Sequence, residues 1–119
     1  MKKVVRVILI DNAEIVYKNL NDIIKNQLIE NKQNTMEMKL LKSINKKIDL
    51  IKNNPFYGNN IKKNLIPKKY SQTNIWRVEL FDFWRMLYTI RGNDIEVICF
   101  IFEIVNHDDY NKIFGYKKN

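Results

Sequence analysis

The side chains that could do chemistry near neutral pH gather in the second half of this sequence. His107 is its one histidine, and an imidazole, titrating at about 6.5, is the natural proton carrier at neutral pH. Read alone, it serves equally well as a hydrogen-bonding residue that ends a strand or opens a helix. Tyr110 follows three residues later, on the same helical face if the tail is helical, and either meets a ligand there or packs the tail down. Arg77 and Arg85 carry planar guanidinium groups that hold two oxygens at once and keep their charge. Their plainer role is an ion pair with Glu79. Lys62, Lys63, Lys68 and Lys69 crowd one stretch, and Lys112, Lys117 and Lys118 lie near the end. Each lysine taken singly reads as a solvated surface charge. The one cysteine, Cys99, sits in the apolar run Ile98-Cys99-Phe100-Ile101-Phe102. It reads as a small buried hydrophobe, with no partner for a disulfide or a cysteine-based metal site.

The periodicities specify what must position these groups. Val4 to Ile10 is β-branched and almost wholly apolar, the pattern of a short buried strand, and Asp11 is placed to cap a helix. From Asn12 to about Glu30, Val16, Leu20, Ile23, Ile24 and Leu28 recur at three- and four-residue spacing, one face of a helix. Asn31 to Asn34 breaks that pattern. A second helix starts near Asn34 or Thr35, with Glu37 placed for a capping box, and carries the stripe Met36, Leu40, Leu41, Ile44, Ile48 and Ile51 until Asn53-Asn54-Pro55 ends it. Phe56 to Thr73, with Gly58, Pro67 and the four lysines, shows no sustained period and reads as a basic loop.

The period then becomes two. Trp76, Val78 and Leu80 alternate with Arg77 and Glu79, and Trp84, Met86, Tyr88 and Ile90 alternate with Arg85, Leu87 and Thr89. A turn at Phe81-Asp82-Phe83 sets Leu80 against Trp84, Val78 against Met86, Trp76 against Tyr88 and Glu79 against Arg85. Arg77 and Arg85 then share a face, and the tryptophans point to the core. A turn at Arg91 to Asp94 leads into the most apolar strand, Ile95 to Ile104, expected inside the sheet. His107 to Asn119 reads as a short helix or turn. The expected fold is α+β: an N-terminal strand, a helical hairpin and a three-stranded antiparallel meander, forming one twisted four-stranded sheet with helices on one face and the other face left for function.

Composition narrows the partners. The chain has 119 residues, 45% of them hydrophobic, no internal repeat and no Gly/Ser linker, so a single domain over residues 1–119 can bury a core without disulfides or metal. Lysine and arginine total 21 against 13 acidic residues, a net charge of +8. That favours polyanions such as RNA, DNA or an acidic protein, although abundant Lys and Asn also follow from AT-rich coding. The basic opening and short apolar run fall short of a secretory or membrane segment and point to a cytoplasmic location without a membrane partner.

The run Trp76-Arg77-Val78-Glu79-Leu80, then Trp84-Arg85-Met86-Leu87-Tyr88-Thr89-Ile90, an apolar strand, and His107-Asp108-Asp109-Tyr110-Asn111-Lys112 resembles the C-terminal half of RelE/ParE-superfamily toxins, most closely archaeal ones. The resemblance extends to the element order of the first half. It implies the toxin of a type II toxin-antitoxin system: a ribosome-dependent, metal-independent mRNA endoribonuclease without cofactor, whose partners are the ribosome, mRNA and a cognate antitoxin. It also implies roles. Arg77 and Arg85 would stabilise the attacked phosphate, His107 and Tyr110 would move protons or align it, and Lys62, Lys63, Lys68, Lys69 and Lys112 would hold RNA. Other members of that superfamily bind DNA gyrase or only an antitoxin, and that alternative stays open. The acidic pair Asp108-Asp109 stands where the commoner pattern is arginine-rich.

Overall fold

The structure is a computed structural model and describes residues 3–116. Strand β1 (Val4–Leu9) leads into helix α1 (Asp11–Ile29) and helix α2 (Met36–Asn53). A two-residue strand β2 (Asn59–Asn60) follows, then β3 (Trp76–Glu79), β4 (Arg85–Gly92), β5 (Glu96–Val105) and helix α3 (His107–Phe114). The sheet order is β1-β5-β4-β3-β2, with β1 parallel to β5 and the other pairs antiparallel. The α+β class and the helical hairpin agree with the sequence reading, and the meander differs in detail, with a break in register between β4 and β5 at Leu87/Tyr88. The strand count also differs: the described residues form five strands, because the basic loop lays Asn59 and Asn60 along β3.

Local chemistry accounts for the joints. Asn31 and Asn34, between the helices, have φ of 59° and 53°, the left-handed region that asparagine tolerates better than most residues. Thr35 caps α2 by accepting from the Met38 N–H at 3.1 Å, while its hydroxyl donates to Gln27 at the end of α1. With Thr35 as the cap, Glu37 falls one position short of a capping box, and its carboxylate instead accepts from Gln27 at 2.7 Å. That bond holds the Glu37 carboxyl below its usual range. Asp11 does not cap α1: it is the first helical residue, Ile10 precedes it, and no side chain caps that end.

The β3–β4 hairpin has the register read from its alternation, with Trp76 opposite Tyr88, Arg77 opposite Leu87, Val78 opposite Met86 and Glu79 opposite Arg85. At its turn Asp82 and Phe83 both have positive φ, 58° and 61°. Two such residues give the turn a twist that suits a tight hairpin, and strain at the exposed Phe83 of about 1 kcal/mol accompanies it.

The face toward α1 and α2 carries Val78, Leu80, Met86, Tyr88, Cys99, Ile101 and Ile104 against Leu20, Leu40, Ile44 and Ile51, with Trp76 and Trp84 packed alongside. Cys99 is fully buried. The expected bare face is not bare. Ile75, Leu87, Phe102, Val105 and Tyr110 form a second buried cluster there, covered by Ile61, Ile66 and Tyr70 of the loop and by Ile113 and Phe114 of α3. A break in register between β4 and β5 at Leu87/Tyr88 leaves Phe102 without a partner opposite it, and such a bulge turns an extra side chain to this face. Glu103 is also buried here, at 7% exposure. Its carboxylate accepts from Asn12 of α1 and from the Tyr70 hydroxyl at 2.7 Å. One buried carboxylate thereby ties the basic loop to the sheet and to the start of α1. Burial first, and the bond to Glu103 second, push the Tyr70 hydroxyl well above its usual range.

Candidate functional site

Arg77 on β3 and Arg85 on β4 stand on the face that α3 covers, and α3 supplies what lies between them. Asn106 caps that helix by accepting from the Asp109 N–H at 2.8 Å, and Gly115, with φ of 73°, ends it in the left-handed conformation favoured by glycine. Between those ends Tyr110 points at the sheet and is 2% exposed. The Arg77 Nη1 donates to the Tyr110 hydroxyl at 3.1 Å. The two guanidinium carbons lie 5.8 Å (Arg77) and 5.3 Å (Arg85) from the centre of the Tyr110 ring, within reach of the cation–π attraction. Phe114 stacks on the same ring at 4.4 Å. Tyr110 therefore has no face open to a base, and its hydroxyl already serves Arg77.

The arginines are held but not saturated. Glu79 Oε1 is 4.0 Å from Arg77 Nη2 and 3.9 Å from Arg85 Nε. Those are ion-pair separations, too long for hydrogen bonds, and the Glu79 side chain is 61% exposed, so water screens them. The Nε atoms of both arginines are buried with no hydrogen-bond partner among the described residues. Arg85 also donates through Nη1 to the Phe83 carbonyl, so the strained turn positions one of the two charges. The bond to Tyr110, more than any other influence, raises the Arg77 guanidinium further above its ordinary value.

Compared with family models, curated proteins and solved structures, the chain matches none. The site stands on its own geometry.

His107 occupies the exposed first turn of α3. Its Nε2 is 3.3 Å from the Asn111 amide, and its ring lies 6.2 Å from that of Phe83. Spacing of three residues leaves side chains roughly 60° apart around a helix. That offset suffices to bury Tyr110 while His107 stays in solvent. Lys62 shares a recess of about 240 Å³ with Arg77, Tyr110, Asn59, Asn60 and Tyr116, which Arg85 does not line. Lys63 and Lys68 line a separate recess with Tyr70 and Gln72, and Lys69 lies 5.2 Å over the Tyr70 ring. Lys112 opens on the outer side of α3 with Asn111 and Tyr116. Lys117 and Lys118 lie outside the described residues.

Features that sequence reading passed over complete the site. Gly58 lets β2 reach β3: a Cβ there would sit 2.9 Å from the Arg77 carbonyl and 3.0 Å from the Tyr88 ring. The Gly58 N–H donates to the Tyr88 hydroxyl at 2.9 Å, and that hydroxyl donates to the Pro55 carbonyl at 2.7 Å. Lys39, Lys42, Lys46 and Lys47 on α2 border a further groove with Glu79 and Phe81. The three- and four-residue spacing of Lys39, Lys42 and Lys46 was a visible signal. The contacts of Gly58 had none.

Among the described residues no group of three or more His, Cys, Asp or Glu side chains could hold a metal ion. No described helix is long and apolar enough to cross a membrane.

Proposed function

We propose that the chain is a RelE-like toxin that cleaves mRNA at the ribosome by attack of a ribose 2′-hydroxyl on the adjacent phosphate. The observation that carries the proposal is the pair of guanidinium groups set against one buried tyrosine ring, with the Arg77 side chain 28% exposed and lining an open recess. A guanidinium presents its N–H donors in a planar fork that matches an anion with several oxygens, such as a phosphate. In the reaction the 2′-oxygen forms a bond to phosphorus and loses its proton, and the bond to the 5′-oxygen breaks as that oxygen gains one. Arg77 and Arg85 stabilise the charge that grows on the phosphorane, the term that weighs most in this class of chemistry. Tyr110 aligns them. His107, open to solvent on the first turn of α3 beside Phe83, is the residue that carries a proton. Lys62 extends the phosphate track beside Arg77, while Lys63, Lys68, Lys69 and Lys112 act as dispersed phosphate contacts that add affinity and salt dependence.

A cognate antitoxin belongs to the same proposal. The net charge of +8 invites an acidic or amphipathic segment that folds on binding. An apolar groove of about 410 Å³, lined by Val16, Leu20, Ile23, Met36, Leu40 and Trp84, offers such a segment a seat. The test is inducible expression with mapping of the 5′ ends of cellular mRNA. New cuts within translated codons are expected. Intact mRNA with broken or relaxed DNA would move the target to gyrase, and intact mRNA and DNA would leave a protein that only binds its antitoxin.

A further inference from the structure

Beside Arg77 the sheet ends in β2, where polar side chains take over from apolar ones. Asn59 is the residue opposite Arg77 in the β2–β3 register, and directly opposed residues point to the same face with Cα atoms about 5 Å apart. The Asn59 side chain is exposed. It carries an amide donor and a carbonyl acceptor side by side. The same recess of about 240 Å³ is bordered by Lys62, Arg77 and Tyr116. Tyr116, half exposed, stacks at 6.2 Å on Phe114, which stacks on Tyr110. The aromatic ladder that begins under the arginines thus emerges at the surface as one wall of the recess.

Three kinds of recognition therefore meet within one small concavity: positive charge, an aromatic face and a paired donor and acceptor. Duplex RNA would present only phosphates and sugars to such a hollow, because its bases are stacked inside. A splayed single-stranded nucleotide can use all three. The amide of asparagine matches adenine, which offers an acceptor at N7 beside the donor at N6.

We propose that this recess is a nucleobase subsite in which Asn59 reads an adenine stacked on Tyr116, with the attached phosphate on Arg77 and Lys62. The subsite rests on the RNA-directed reading above and names a base preference within it. Asn59 and Tyr116 are specificity-determining residues, separate from the pair that stabilises the phosphorane.

The experiment titrates the full chain with the four ribonucleoside 3′-monophosphates and with inorganic phosphate, following the backbone amide resonances of Asn59, Asn60 and Tyr116. Adenosine 3′-monophosphate is expected to bind about tenfold more tightly than the pyrimidine nucleotides or phosphate, the scale of one stacked, hydrogen-bonded base. Asn59→Ala should erase the preference for adenine over guanine while phosphate still binds. Tyr116→Ala should weaken binding of adenosine 3′-monophosphate by about tenfold, to the affinity of phosphate, which is itself unchanged. Equal affinity for all four nucleotides and phosphate, shifts confined to other residues, or no binding overturns the subsite. Adenine preference in a chain that leaves cellular mRNA intact keeps the subsite and removes the ribonuclease reading, whereas mRNA cleavage by a chain with no base preference does the reverse.

Discussion

Removing a single oxygen from Tyr110 separates what the ring does from what the hydroxyl does. In Tyr110→Phe the ring keeps its burial at 2% exposure, its stacking on Phe114 and its place beneath both guanidinium groups. Only the acceptor for Arg77 Nη1, at 3.1 Å, is lost. A hydrogen bond to a charged group contributes roughly 1.5–3 kcal/mol. Arg77 keeps 28% side-chain exposure, so water replaces part of the bond and the expected loss of stability is about 1 kcal/mol. Tyr110→Ala deletes the ring from the cluster of Ile75, Leu87, Phe102 and Val105 and should cost about 3–5 kcal/mol, the range for truncating a buried aromatic. Urea unfolding followed by circular dichroism measures both variants. On the proposed ribonuclease function, single-turnover cleavage of mRNA on programmed ribosomes measures the second consequence: an untethered Arg77 should lower the rate about tenfold, against roughly 10²- to 10³-fold when a charge-stabilising donor is removed outright, as in Arg77→Ala. A Phe variant with the stability and the rate of the parent would refute the tether. So would one that unfolds as readily as the Ala variant, because the hydroxyl would then carry what is assigned here to the ring.

Gly58→Ala places a methyl group 2.9 Å from the Arg77 carbonyl and 3.1 Å from the Tyr88 hydroxyl. Since neither can yield cheaply, β2 must lift from β3, at an expected cost of about 1–3 kcal/mol seen as faster amide exchange at Ile61, whose N–H donates to the Ile75 carbonyl at 2.9 Å. Alkaline pH should also weaken the fold. Burial pushes the Tyr88 hydroxyl up to about 12 and the Cys99 thiol up to about 11, so both are held neutral in the folded chain. Their stabilisation is complete below the unfolded values, near 10 for tyrosine and 9 for cysteine, and is lost as pH rises through 11 and 12. Urea midpoints at pH 8.5 and pH 11 measure the slope, and Tyr88→Phe should flatten its upper part. If the chain binds the ribosome as proposed, replacing Lys62, Lys63, Lys68 and Lys69 together by Gln should weaken that binding most at low salt, because exposed charges at phosphates act by releasing counterions. Equal binding across a salt series would place the RNA-facing surface elsewhere, with the α2 lysines the next to test.

Local pattern was enough for the elements and for much of their order. Alternation from Trp76 to Ile90 specifies the hairpin register because a one-residue slip would turn Val78, Met86 and Tyr88 out of the core, and the same arithmetic places Arg77 and Arg85 on one face. The stripes of α1 and α2 follow from the helical repeat in the same way. What lies over the arginines could not be read along the chain. Tyr110 is 33 residues from Arg77, and its inward turn depends on the angle at which α3 leaves β5. The Phe56 to Thr73 loop has no period, yet Gly58, Ile61, Ile66 and Tyr70 fold it onto the sheet through contacts with residues distant in sequence. Glu103 shows the limit best: within the apolar strand β5 it reads as an exception, and only the approach of Asn12 and Tyr70 from two other elements makes it a buried anchor. Periodicity records which face a residue occupies, because that is a property of its own strand or helix. What covers the face is decided by whichever distant segment can satisfy its polar groups and exclude water from its apolar ones.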